Sequence, residues 1–168
     1  MTKLRLGDLA PDFEQATNLG PIRFHDWLDD RWAVLFSAPG DFKPHYQTPL
    51  GLTAKISLEF ARRGVQLIAL STDAAESALL RVNFPVIADA DRKVSALYGL
   101  IDPADGAGVA LRSLFVIDSN RRIRFIMTYA DNTHRDFLEV LSVIESVQGW
   151  PQRSINRGES NAKCASVD

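Results

Sequence analysis

Sulfur is scarce in this chain of 168 residues, which has a single cysteine, Cys164, in the polar stretch Asn161-Ala-Lys-Cys-Ala-Ser-Val-Asp168. One cysteine cannot close an intramolecular disulfide, and a polar terminal stretch does not hold a thiol in place as a nucleophile. Cys164 is therefore expected to be a loose surface thiol. No run of about 18 apolar residues is present that could cross a bilayer as a helix. The opening Met1-Thr-Lys-Leu-Arg-Leu-Gly-Asp8 has neither the apolar stretch nor the cleavage signature of a secretory signal, so cytoplasmic residence is the expectation. Neither H-x-x-x-H nor C-x-x-C spacing occurs, and no metal or other cofactor is expected. The net charge of −2 supplies no basic footprint for nucleic acid and no polybasic patch for a membrane.

What is present is the material of one folded domain. Hydrophobic residues make up 46% and charged residues 24%, a globular profile, and the length suits one core rather than two. The expected domain covers residues 1–150. After Trp150-Pro151 the composition turns polar, and 151–168 reads as a disordered tail.

Trp32-Ala-Val-Leu-Phe-Ser37 is a short, wholly apolar run of the kind that forms a central strand covered on both faces. The spacing of Leu52, Ile56 and Phe60 predicts a helix from Thr48 to Arg63, ended by Gly64 in a left-handed cap. Val65 to Leu70 reads as a second buried strand, and a short helix follows with Asp73 as its N-cap. Phe84 to Ala88 is a third strand. Asp91 to Leu100 reads as a helix with Val94, Leu97 and Tyr98 inward. Leu114–Ile117, a turn at Ser119-Asn120, and Ile123–Tyr129 form an antiparallel hairpin. Thr133 to Gln148 closes the domain as a helix, its stripe made of Phe137, Val140, Leu141, Ile144 and Val147. This order predicts an α/β sandwich, a mixed central sheet flanked by helices, of thioredoxin-like type. In such sheets the functional crevice lies at the carboxyl ends of the strands, which points to Ala38–Pro49.

The motifs along the chain resemble those of the one-cysteine branch of the AhpC/TSA peroxiredoxins, from about Leu4 to Gln148. The resemblance rests on Leu6-Gly-Asp-Leu-Ala-Pro-Asp-Phe13, Gly64–Asp73, Phe84-Pro-Val-Ile-Ala-Asp89, Arg112–Asp118 and Tyr129–Phe137. The family's catalytic loop reads His-Pro-x-Asp-Phe-Thr-Pro-Val-Cys-Thr-Thr-Glu-Leu-Gly. Here the loop reads Ala38-Pro-Gly-Asp-Phe-Lys-Pro-His-Tyr-Gln-Thr-Pro-Leu-Gly51. The frame of Pro39, Asp41, Phe42, Pro44, Leu50 and Gly51 is kept. The family's nucleophilic cysteine falls on Tyr46, its peroxide-binding threonine on Lys43, its leading histidine on Ala38 and its supporting glutamate on Pro49. The arginine that lowers the thiol's pKa in the family is similar to Arg112, and a second arginine corresponds to Arg135. The stretch from Asp73 to Phe84 reads as shorter than the matching family segment, and the C-terminal arm that the resemblance implies past the last helix is expected to be missing, both of which should leave the pocket more open.

Peroxide reduction in this family requires a thiolate that attacks the O–O bond and becomes a sulfenic acid. A phenol of unperturbed pKa ~10 cannot follow that course. The resemblance therefore implies the fold without the thiol peroxidase chemistry. Lys43, His45 and Tyr46 lie within four positions, near where Arg112 is expected, and the following helix would add N–H donors. Such a site suits a small anion, a carboxylate or phosphate, held by Arg112, Lys43, Pro39 and Arg135. Tyr46 and His45 would act as acid or base.

Three readings stay open: an enzyme or binding protein using this pocket, a scaffold keeping only the fold and dimer surface, and an antioxidant peroxidase as the family implies. A homodimer through the apolar edge strand Ile123–Tyr129 is expected. His25 reads as a surface polar residue at a strand end, Asp29-Asp30-Arg31 as a solvated turn, and Trp27 and Trp32 as core or interface.

Overall fold

The computed structural model describes residues 3–37, 57–72, 83–101, 104, 111–129 and 137–149. A short antiparallel ribbon, β1 (Glu14–Gln15) and β2 (Ile22–Arg23), leads into α1 (Phe24–Leu28). The main sheet is built from β3 (Trp32–Ser37), β4 (Val65–Ser71), β5 (Val86–Ala88), β6 (Arg112–Ile117) and β7 (Ile123–Tyr129). Helical turns at 57–62 form α2, Lys93–Leu97 form α3 and Phe137–Gly149 form α4. Strand order is β5-β4-β3-β6-β7, with β3, β4 and β5 parallel and β6 and β7 antiparallel. This is the thioredoxin-like α/β architecture with a mixed five-stranded sheet that the sequence predicts.

The apolar runs form central strands because both faces of the sheet are covered. Along β3, Ala33 and Leu35 belong to one core layer with Phe24 and Leu28 of α1 and Val94 of α3. Val34 and Phe36 belong to the other, with Phe60 of α2 and Val140, Leu141 and Ile144 of α4. Side chains two apart on a strand share a face, so a strand buried on both sides must be apolar throughout. Arg63 pins α2 to α4, with Nη1 3.1 Å from Glu59 and Nη2 2.7 Å from Glu145. Gly64 has φ 69°, the left-handed turn expected after α2, and Gly99 makes the same turn at φ 65° after α3, which ends at Leu97 and not at the expected Leu100.

The structure moves several boundaries. The strand expected over 84–88 begins at Val86, because Pro85 has no N–H for a ladder, although its carbonyl accepts from Ala69 N at 3.0 Å. The helix expected from Asp91 starts at Lys93, and Asp89 rather than Asp91 governs its entry. Asp89 is fully buried. Its Oδ1 accepts from Val94 N at 2.9 Å, and its Oδ2 from Ser95 N at 2.8 Å and Ser95 Oγ at 2.6 Å. His25 does not end a strand and is not a surface residue. It lies in α1 with its side chain 14% exposed, and Nε2–H donates to the Ala10 carbonyl at 2.7 Å. Its backbone N–H donates to Asp12 Oδ1 at 2.9 Å, and Arg23 Nε reaches Asp12 Oδ2 at 2.9 Å. Burial works to raise the Asp12 carboxyl, but these donors outweigh it and hold the group below the ordinary carboxylate range. No helix among the described residues is long and apolar enough to cross a membrane. The short helix expected after Asp73, the first turns of the helix expected from Thr48, and the expected tail 151–168 lie outside the described residues.

Tyr98 sets the alkaline limit of the fold. It is buried against Phe13 and Phe115, and its hydroxyl donates to the Pro11 carbonyl at 2.9 Å. Burial, helped by the nearby Asp12 carboxylate, raises its phenol well above ~10. A raised acid is favoured in its neutral form, so Tyr98 contributes its full stability below the unfolded pKa of ~10 and loses it as pH rises beyond that. Denaturant titrations should show stability falling steeply above pH ~10. Tyr98→Phe should flatten that fall while costing about 1 kcal/mol at neutral pH for the lost hydrogen bond.

Candidate active site

The carboxyl end of β3 is where chemistry is expected, and one of the expected site residues is described there. Strands β3 and β6 run antiparallel, with Phe36 opposite Leu114, so the first residue of β6, Arg112, lies beside the last residues of β3. Arg112, Leu114 and Val116 alternate onto the face that holds Phe36 and Phe60. That is the face covered by α2, the helix reached through the segment that follows β3. Arg112 is half-buried and pairs across the sheet with Tyr129 of β7, whose hydroxyl is buried. Tyr46, His45, Lys43, Pro39 and Arg135 lie outside the described residues.

Residues that the sequence reading passed over build the seat of Arg112. Ser37, fully buried at the end of β3, donates its hydroxyl to the Leu111 carbonyl at 2.6 Å and accepts from Ser113 N at 2.8 Å. Ser113 Oγ lies 3.0 Å from Thr128 Oγ1, which carries the hydroxyl chain on to β7. The only hint in the sequence was a serine closing an otherwise apolar run, directly before the segment that carries Tyr46. A hydroxyl there is expected to be buried and bonded rather than solvated.

At the other end of the sheet a shallow cavity of about 430 Å³ is lined by Arg31, Trp32, Arg63, Arg124 and Gln148. Two of its three arginines are paired with carboxylates, Arg63 with Glu59 and Glu145 and Arg124 with the buried Asp118 at 3.1 Å, while Arg31 reaches the Trp27 carbonyl at 3.4 Å. Among the described residues no group of three or more His, Cys, Asp or Glu is placed to hold a metal ion.

A five-stranded mixed sheet with α2 and α4 on one face and an arginine at the carboxyl end of β3 defines a peroxiredoxin type of thioredoxin-like fold. The chain belongs to the AhpC/TSA family, whose pattern it matches over residues 6–126. Over 164 aligned positions it is 41% identical to the human protein Peroxiredoxin-6, spanning 86% of this chain and 73% of that protein. Among solved structures, a yeast mitochondrial 1-Cys peroxiredoxin is 39% identical with a TM-score of 0.74, covering 86% of this chain and 76% of that one. A cysteine-to-serine mutant of Peroxiredoxin 6 from Arenicola marina is 34% identical with a TM-score of 0.72, covering 86% and 74%.

Proposed function

We propose that this chain is a peroxiredoxin-fold protein without thiol peroxidase activity, whose former active-site pocket binds a small anion. In this reading Arg112 and Lys43 clamp a carboxylate or phosphate, assisted by Arg135 and the turn at Pro39. Tyr46, with His45, donates a hydrogen bond or moves a proton. The observation that carries it is the pairing of Tyr46 at the family's thiol position with a retained arginine at the end of β3. A phenol cannot accept an oxygen atom from a peroxide as a thiolate does, whereas an arginine still binds anions in bidentate fashion.

One observation favours a second reading. Identity of 41% to Peroxiredoxin-6 across most of the chain favours a peroxidase, and Cys164 is the one thiol that could serve it. Residence in the cytoplasm and pairing of two copies along β7 belong to the first reading. The dimer is supported by β7 lying at the edge of the sheet among the described residues: past Ile123, whose backbone bonds Gly7 and Asp8, it carries Phe125, Ile126 and Met127. Sedimentation equilibrium should return twice the 18.6 kDa chain mass, and a monomer at micromolar concentration would end that part of the proposal.

The direct test of the pocket is calorimetric titration of the full chain with inorganic phosphate and with acetate. One anion is expected to bind at a single site, and Arg112→Gln should weaken it by about a hundredfold, the worth of a bidentate charged contact. Unchanged binding in that variant would remove Arg112 from the site.

A further inference from the structure

Among the described residues the β3–β6 pairing runs to Phe36 with Leu114, and on the other side of β6 Arg112 is paired with Tyr129 of β7. One side chain at the end of β3 grips the backbone on both sides of that arginine. Ser37 Oγ donates to the carbonyl before Arg112, that of Leu111, at 2.6 Å, and accepts from the amide after it, that of Ser113, at 2.8 Å. Leu111 N is anchored in turn on the Leu100 carbonyl at 2.6 Å.

We propose that Ser37 is a positioning residue for Arg112: its hydroxyl bonds the backbone on both sides of the arginine and fixes it. A hydroxyl has one donor and two acceptor sites, which suits it to bridge a carbonyl and an amide two residues apart. Ser37 has no exposed surface, so water does not readily replace the bridge if it is lost. The arginine side chain is long, and a small tilt at its Cα becomes a larger displacement of the guanidinium, which a bidentate contact does not tolerate. Ser113 and Thr128, 3.0 Å apart, brace the same backbone toward β7. The inference deepens the anion-pocket reading and rests on it.

The test uses the full chain, titrated with inorganic phosphate and with acetate, in Ser37→Ala, Ser37→Thr, Arg112→Gln and Ser95→Ala. Ser95→Ala removes another fully buried hydroxyl bond, 2.6 Å to Asp89, outside the Ser37–Arg112 cluster, and so controls for general loosening. Ser37→Ala is expected to weaken anion binding about tenfold and to speed hydrogen exchange at the Ser113 amide, while Ser37→Thr, which keeps the hydroxyl, restores affinity. Ser95→Ala should lower thermal stability with affinity unchanged. If Ser37→Ala does not fold, Ser37→Cys supplies a same-sized side chain with a weak donor and should fall between wild type and the loss expected for alanine. Wild-type affinity in Ser37→Ala or its cysteine substitute, while Arg112→Gln has lost binding, overturns the positioning role alone. Equal losses in Ser37→Ala and Ser95→Ala also overturn it. No anion binding by wild type, or none lost in Arg112→Gln, overturns the pocket reading instead.

Discussion

Supplied with hydrogen peroxide and a dithiol reductant, the chain should consume peroxide no faster than the reductant does alone, and Cys164→Ser should leave that baseline unchanged. The family reaction transfers one oxygen atom to a thiolate, expels hydroxide or water, and leaves a sulfenic acid for the reductant to reduce. At neutral pH an ordinary thiol is already ionised to a few per cent, and a positive neighbour raises that fraction further. Tyr46 offers a phenol of unperturbed pKa ~10 and an oxygen that cannot be oxidised to a sulfenic equivalent. The converse variant, Tyr46→Cys, should gain peroxide turnover at least about tenfold over wild type, because Arg112 would favour a thiolate beside it. Mass spectrometry should then show the added oxygen on the substituted position. Turnover by the wild type that disappears in Cys164→Ser would instead establish the peroxidase reading.

The largest loss of stability is expected from Asp89→Ala. Three donors converge on this buried carboxyl: Val94 N, Ser95 N and Ser95 Oγ, at 2.9, 2.8 and 2.6 Å. They are the donors that the start of α3 cannot satisfy within the helix, and α3 carries Val94 into the core beside Tyr98. Removing the carboxyl leaves buried N–H groups without acceptors at about 1–3 kcal/mol each, so a total near 4 kcal/mol is expected in urea titrations. Asp89→Asn keeps one oxygen and replaces the other with a donor facing Ser95, so it should retain about half of that stability. A loss below about 1 kcal/mol for the alanine variant would mean that α3 holds its place by packing alone.

The inner strands β3 and β4 were legible because they are short apolar runs buried on both faces, and such runs have few alternatives. Trp32–Ser37 and Ile123–Tyr129 were readable to the residue. Gly64 marked the end of its helix because a left-handed turn at that place favours glycine. The first ribbon and α1 went unread, since two-residue strands and a five-residue helix carry no period. His25 was misread for a related reason. What buries it is a backbone carbonyl at Ala10 and the side chain of Asp12, and neither has a sequence signature pointing at residue 25. Asp91 drew attention as a helix start because it sits beside the periodic residues. Asp89 does that work because the helix starts two residues later than expected, at Lys93, and the buried Asp89 carboxyl just past β5 meets the Val94 and Ser95 amides.

The amino-acid sequence by itself determined the fold class, the run of family motifs and the single cysteine far along the chain, and it motivates the proposal that Tyr46 stands where the family has its sulfur. These depend on residue identity and local order, which a sequence states outright. Only the tertiary structure decided that Arg112 comes to the carboxyl end of β3, on the face covered by α2. Only it showed that a serine hydroxyl from the neighbouring strand seats the backbone there. Those facts follow from strand pairing between residues some seventy positions apart, such as Ser37 with Leu111 and Ser113. Pairing at that distance is selected by the packing of the whole sheet and leaves no local mark on either segment.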